Sequence, residues 1–175
     1  PGAPVTGLAL GHGAGADVCP AAGSRRDGAT VGVTASGNDQ SGNRLREWMN
    51  IDRKTFYDTR RIAIMPMGFC YPGRLERNGD KPPRPECAPE WHTRLLAELP
   101  NVELTLLVGM YAQAYYLPER KPKTLTATVK QWRNYLPGYI PTPHPSWRTI
   151  GWQKSNPWFE AELLPVLRDK VAALL

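Results

Sequence analysis

Two stretches of the chain set reactive side chains among prolines and glycines: Pro66-Met67-Gly68-Phe69-Cys70 and Pro143-His144-Pro145-Ser146-Trp147-Arg148. The second carries an imidazole, a hydroxyl and a guanidinium in one short run, groups able to hydrogen-bond anionic oxygens. The alternative for His144 is a loop histidine hydrogen-bonded to backbone, and for Trp147 packing against the domain. A third polar run, Asn38-Asp39-Gln40-Ser41-Gly42, precedes an amphipathic stretch. Arg44, Arg46, Lys130, Arg133, Arg148 and Lys154 are candidates for phosphate contacts, or else solvated helix faces. His12 and His92 have no metal-ligand spacing and receive no role.

These groups need elements to position them. Arg61 to Pro66, Val102 to Val108 and Tyr139 to Pro143 read as short buried strands, the first halted by Pro66 and the second ended by Gly109. Helical spacing follows Ser41, with Leu45, Trp48 and Met49 inward, and Asp52 caps a short turn through Thr55. Pro89 to Leu99 reads as a helix with Trp91, Leu95, Leu96 and Leu99 inward. Gly109 ends the middle strand before Tyr111, Ala112, Tyr115 and Tyr116, and Thr124 or Thr126 caps a helix through Val129, Trp132 and Tyr135. Asn156-Pro157 starts the last helix. Alternating strands and helices imply a parallel sheet with helices on its faces, whose ligands bind beyond the carboxyl ends of the strands. Both Pro-rich reactive stretches lie at those ends.

The chain of 175 residues suits one domain, and 41% hydrophobic with 22% charged residues is ordinary globular usage. Its 18 Pro and 16 Gly require long loops. A net charge of +6 is compatible with a polyanionic partner. Three cysteines are too few, and odd in number, for a secreted disulfide framework, so a reducing, cytoplasmic location is expected. The apolar run 104–109 is far short of a membrane span, and no membrane partner is expected.

In order, Asn38-Asp39-Gln40-Ser41-Gly42-Asn43-Arg44-Leu45-Arg46, Met65-Pro66-Met67-Gly68-Phe69-Cys70-Tyr71-Pro72-Gly73, Pro82-Pro83-Arg84-Pro85-Glu86-Cys87-Ala88-Pro89, Leu106-Leu107-Val108-Gly109, His144-Pro145-Ser146-Trp147-Arg148 and Asn156-Pro157-Trp158-Phe159-Glu160 together resemble a bacterial subgroup of the uracil-DNA glycosylase superfamily, related to its iron-sulfur members. The resemblance covers about residues 38 to 175. It implies an α/β fold of three layers, α/β/α, around a central, mostly parallel four-stranded sheet. It also implies hydrolysis of the N-glycosidic bond of uracil or a related damaged base in DNA, by a monomer.

On this resemblance His144 is the catalytic residue, donating to the leaving base. Asn38, Asp39, Ser41, Gly42, Pro66 and Phe69 belong to the base pocket and its motif loop, while Ser146, Trp147 and Arg148 contact DNA. Cys70 and Cys87 match the second cysteine pair of the iron-sulfur members. With only Cys19 upstream, a [4Fe-4S] cluster is expected of a full-length protein and none of this chain. The chain departs from the pattern at Gly37, where the subgroup has an aromatic residue, and at Pro66, where many members place an Asn that reads the pyrimidine edge. Gly23-Ser24-Arg25-Arg26-Asp27-Gly28 does not match the family's Gly-Gln/Glu-x-Pro-Gly loop. Residues 1–37 are therefore expected to be an atypical segment, disordered or out of frame, and residues 38–175 the glycosylase-like domain. The alternative function is that of a catalytically inactive DNA-binding relative, or a truncated fragment of the same fold.

Overall fold

The computed structural model describes residues 7–12, 40–69, 72–76, 81–119 and 122–175. In chain order its elements are β1 (Gly7–His12), α1 (Gln40–Met49), α2 (Arg53–Phe56), β2 (Ile62–Pro66), α3 (Cys87–Ala97), β3 (Val102–Val108), α4 (Met110–Tyr116), α5 (Leu125–Lys130), a 3₁₀ turn (Trp132–Tyr135), β4 (Tyr139–Thr142), α6 (Thr149–Ser155), a π turn (Phe159–Leu163) and α7 (Leu164–Leu174). The strands pair in parallel in the order β2-β1-β3-β4.

Strand β1 is a finding that the pattern of residues 1–37 did not suggest. Gly7-Leu8-Ala9-Leu10-Gly11-His12 holds no β-branched or aromatic residue, so its own strand preference is weak. Ladders to β2 on one side and β3 on the other hold it in the sheet instead. A division of the chain at residue 38 therefore cuts through the fold. Residues 1–6 and 13–39 lie outside the described residues.

Alternation along β3 sends its side chains to two cores. Leu104, Leu106 and Val108 join a cluster with Leu45, Trp48 and Met49 of α1, Val129 of α5, Phe159 of the π turn, and Leu164, Leu167 and Val171 of α7. Leu107 joins the other, with Ala88 of α3 and Ala112 of α4. Helices thus cover both faces of a parallel sheet, as the alternation of elements implied.

Local chemistry explains the boundaries. Asp52 caps α2 by accepting from the Thr55 amide at 2.6 Å. Of the two threonines that could start α5, Thr124 does so, accepting from the Ala127 amide at 3.2 Å. Asn156 does not cap the last helix with its side chain as expected. Its amide donates to the carbonyl of Trp152 at 2.8 Å and its oxygen accepts from the Trp158 indole, so it joins the end of α6 to the segment that follows.

The inward face of α3 is also corrected. Trp91, read as inward, is 48% exposed, whereas Ala88 and His92 are buried. The buried stripe is Ala88, His92 and the half-buried Leu95 and Leu96, at spacings of four and three. A histidine can occupy it because both ring nitrogens find partners there.

Candidate active site

In an all-parallel sheet every strand delivers its carboxyl end to one side, so Pro66, Val108 and Thr142 all open onto the same rim. The strand order sets the spacing along it. β2 and β4 are the two edges, with β1 and β3 between, so the segments after Pro66 and after Thr142 stand three strand spacings apart, about 14 Å.

His144 follows β4 by two residues and is exposed. Its backbone is held from several directions. The amide of Ser146 donates to the His144 carbonyl at 2.8 Å, and the Thr149 hydroxyl donates to the same oxygen. The amide of Thr149 donates to Ser146 O at 3.0 Å, closing the loop onto the start of α6. Below it, the Gly109 amide donates to Thr142 O at 2.9 Å. The buried Gln113 side chain donates to that same carbonyl at 2.8 Å and to Leu107 O at 3.3 Å, locking β4 to β3 where the loop begins.

Gly109 is favoured by its backbone, whose φ of +84° falls in the left-handed region; a Cβ there would stand 3.5 Å from His144 Cβ, an ordinary contact. Glycine lets the β3–α4 turn lie directly against the histidine.

Arg44 joins the α1 motif to this loop. Its guanidinium donates to the carbonyls of Ser146 and, at 3.4 Å, of Pro145. Reading Arg44 as a phosphate contact missed this internal role, because the partner carbonyls lie about a hundred residues away in sequence. Arg44→Ala is expected to lower unfolding free energy by about 1–3 kcal/mol, the range for hydrogen bonds to a charged group. Arg44→Lys is expected to recover only part of it, since both bonds come from one guanidinium nitrogen at the tip of a longer side chain, a position the shorter lysine stem does not reproduce. Denaturant unfolding checks both, and a loss under about 0.5 kcal/mol in the alanine variant would show the clamp to be idle.

The remaining DNA candidates divide by topology. Trp147 is 68% exposed, so it does not pack into the domain, and the Arg148 guanidinium lies 5.4 Å from its ring centroid. Lys154 sits in α6, on the same loop-helix unit. Lys130 ends α5 and Arg133 lies in the 3₁₀ turn, both ahead of β4 in the chain. Arg133 pairs there with Glu162 at 3.0 Å. Ser41 and Gly42 lie in the first turn of α1, half-buried. Asn38 and Asp39 lie outside the described residues.

At the β2 edge, Pro66 is buried and its carbonyl accepts from His92 Nε2 at 3.0 Å. His92 Nδ1 lies 2.6 Å from the Tyr116 hydroxyl. A carbonyl only accepts, so Nε2 carries the proton and Nδ1 accepts from Tyr116. The rings of Phe69 and Tyr115 meet the imidazole edge-on at 5.9 and 5.6 Å. Sequence reading gave His92 nothing because it looked for metal spacing. The available signal was the Ala88-His92 pair on one helical stripe.

Burial holds the His92 pKa below its ordinary 6.5, only partly opposed by the bond to Pro66. The unfolded chain thus takes up a proton that the native imidazole resists. The stability it contributes is complete above pH 6.5 and is lost as pH falls below it toward the depressed native value. The expected slope is up to about 1.4 kcal/mol per pH unit. Comparing urea midpoints at pH 7 and pH 5 for the wild type and His92→Gln checks this, since a glutamine removes the titration.

Cys87 opens α3 as a half-buried free thiol, and Cys70 lies outside the described residues. Among the described residues no group of three His, Cys, Asp or Glu side chains could hold a metal. The chain's three cysteines supply three of the four thiolates a [4Fe-4S] cluster normally takes. No helix among the described residues is long and apolar enough to cross a membrane.

The clamped His144 loop at the β4 edge and the aromatic surroundings of His92 at the β2 edge are thus the two features the sheet presents at its carboxyl ends. The family model for the Uracil DNA glycosylase superfamily matches residues 17–168 of this chain.

Proposed function

The chain belongs to the uracil DNA glycosylase superfamily, and from that premise we propose that it hydrolyses the N-glycosidic bond of uracil or a related damaged base in DNA, with His144 as the catalytic group. The observation that carries this reading is the way the His144 backbone is fixed while its side chain is exposed at the ligand-binding rim of the sheet.

The reaction needs a base out of the stack, because the bond to the sugar is inaccessible inside a duplex. As that bond breaks, positive charge develops on the sugar and negative charge on the departing base. An imidazole N–H placed at a base oxygen stabilises the second charge, and its benefit depends on needing no rearrangement at that moment. The clamps from Ser146, Thr149 and Arg44 provide that fixity. Water then adds to the sugar carbon, and the proton it gives up balances the negative charge of the departed base. Trp147, exposed beside Arg148, is suited to enter the groove and occupy the space a flipped nucleotide leaves.

Pro66 supports the second reading, a DNA-binding relative without uracil excision. It presents no side-chain donor or acceptor, and its carbonyl is engaged by His92. The test is cleavage of oligonucleotides carrying one uracil or one deaminated purine, single-stranded and paired, followed by alkali. Product from any of them supports the enzyme. Retained oligonucleotide binding without product, by protein shown to be folded, supports the binding module.

A further inference from the structure

His92 is 1% exposed, yet it binds two different elements beyond its own helix: the end of β2 through Pro66 and the end of α4 through Tyr116. The same imidazole meets the ring of Phe69, three residues past Pro66. One side chain therefore holds the segment 66–69 at its first carbonyl and at its last ring. The intervening Gly68 leaves that segment little room on its other side, for a Cβ there would stand 3.1 Å from Pro83 Cβ. Tyr115 and Tyr116 pack against each other at 5.0 Å, and Tyr116 against Tyr139, the first residue of β4, at 6.0 Å, so the aromatic cluster behind His92 reaches from α4 to the start of the β4 edge.

We propose that His92 is a positioning residue for the base-receiving side of the site, fixing the Pro66 carbonyl and the Phe69 ring. This rests on the glycosylase reading for its functional meaning, while the fixing itself is a property of the fold. The imidazole touches no substrate and acts through the segment it holds. A leucine would fill much of the volume but leave the Pro66 carbonyl and the Tyr116 hydroxyl without partners. A glutamine can donate its amide N–H to the carbonyl and accept from the hydroxyl, so it is the conservative replacement.

Two measurements on wild type, His92→Leu and His92→Gln test this. The first is the backbone order parameter of the Gly68 and Phe69 amides by NMR, with α7 amides as reference. His92→Leu is expected to drop from about 0.85 to below about 0.6 at Gly68 and Phe69 only, and His92→Gln to stay near the wild type. The second is single-turnover uracil excision with binding and cleavage resolved, where His92→Leu slows cleavage by about tenfold or more, with oligonucleotide affinity little changed and His92→Gln largely restored. Unchanged order parameters in His92→Leu, or equal loosening of α7, overturn the proposal. So does a loosened segment with wild-type cleavage. If wild-type protein cleaves nothing, the glycosylase reading fails and the order parameters alone decide whether His92 holds the segment. Should His92→Leu not fold, Tyr116→Phe, which removes one partner of the imidazole, takes its place in both measurements with the same expected direction.

Discussion

Replacing His144 by alanine is expected to slow excision of the base by about 100- to 1,000-fold while leaving the fold intact, the range found when one preorganised donor to a developing anion is removed. Stability should hardly change. The side chain is exposed, and the loop bonds from the Ser146 amide and the Thr149 hydroxyl end on the backbone carbonyl of His144, which alanine keeps. This separation makes the variant a clean probe, because loss of rate with an unchanged unfolding midpoint reports chemistry and not folding. Single-turnover kinetics on a uracil oligonucleotide, beside a urea titration of the same preparation, checks both halves. A variant that cleaves at the wild-type rate would remove His144 from the mechanism and pass the leaving-group role to another residue.

The second large effect is on stability. Phe159→Ala is expected to cost about 3–5 kcal/mol, the usual range for deleting a fully buried phenyl ring. Phe159 is 0% exposed and stands edge-on to Trp48 at 5.0 Å, Trp152 at 5.4 Å and Trp158 at 6.4 Å. Those rings belong to α1, α6 and the start of the last helical segment, so one phenyl unites the element that carries Arg44 with the one that follows the His144 loop. For a chain of this size the loss corresponds to a melting shift on the order of 10 °C. Phe159→Leu keeps much of the volume and is expected to lose less than half as much. Thermal and urea unfolding of both variants checks the ranking. A loss below about 1 kcal/mol for alanine would show that the surrounding indoles collapse into the space.

These two residues also mark the limits of reading the chain by pattern. Leu45, Trp48 and Met49 were legible as one buried face because helical spacing repeats them on one side, and β3 was legible because its second half, Leu106-Leu107-Val108, is an apolar run stopped by Gly109. Asp52 was legible as a cap because its chemistry is local: a short acceptor reaches the amide three residues on. Gly109 and the His144 loop could be placed at the carboxyl ends of strands from order alone. β1 was not legible, for its glycines and alanine gain strand structure from two neighbours rather than from themselves. Trp91 and His92 exchanged roles for a related reason. Hydrophobicity ranks tryptophan inward and histidine outward, but the ranking yields when a carbonyl from β2 and a hydroxyl from α4 arrive to satisfy both imidazole nitrogens.

By itself the sequence determined the parallel α/β plan, the candidate histidine at a strand end and the kinship that gives it a chemistry, since these depend on residue type, spacing and order along the chain. Only the tertiary structure decided that Arg44 clamps the His144 loop, that Arg133 pairs with Glu162, and that His92 supports the opposite edge. Each of those depends on which distant segments meet, and such meetings are set by packing a whole sheet between its helices, which no local pattern encodes.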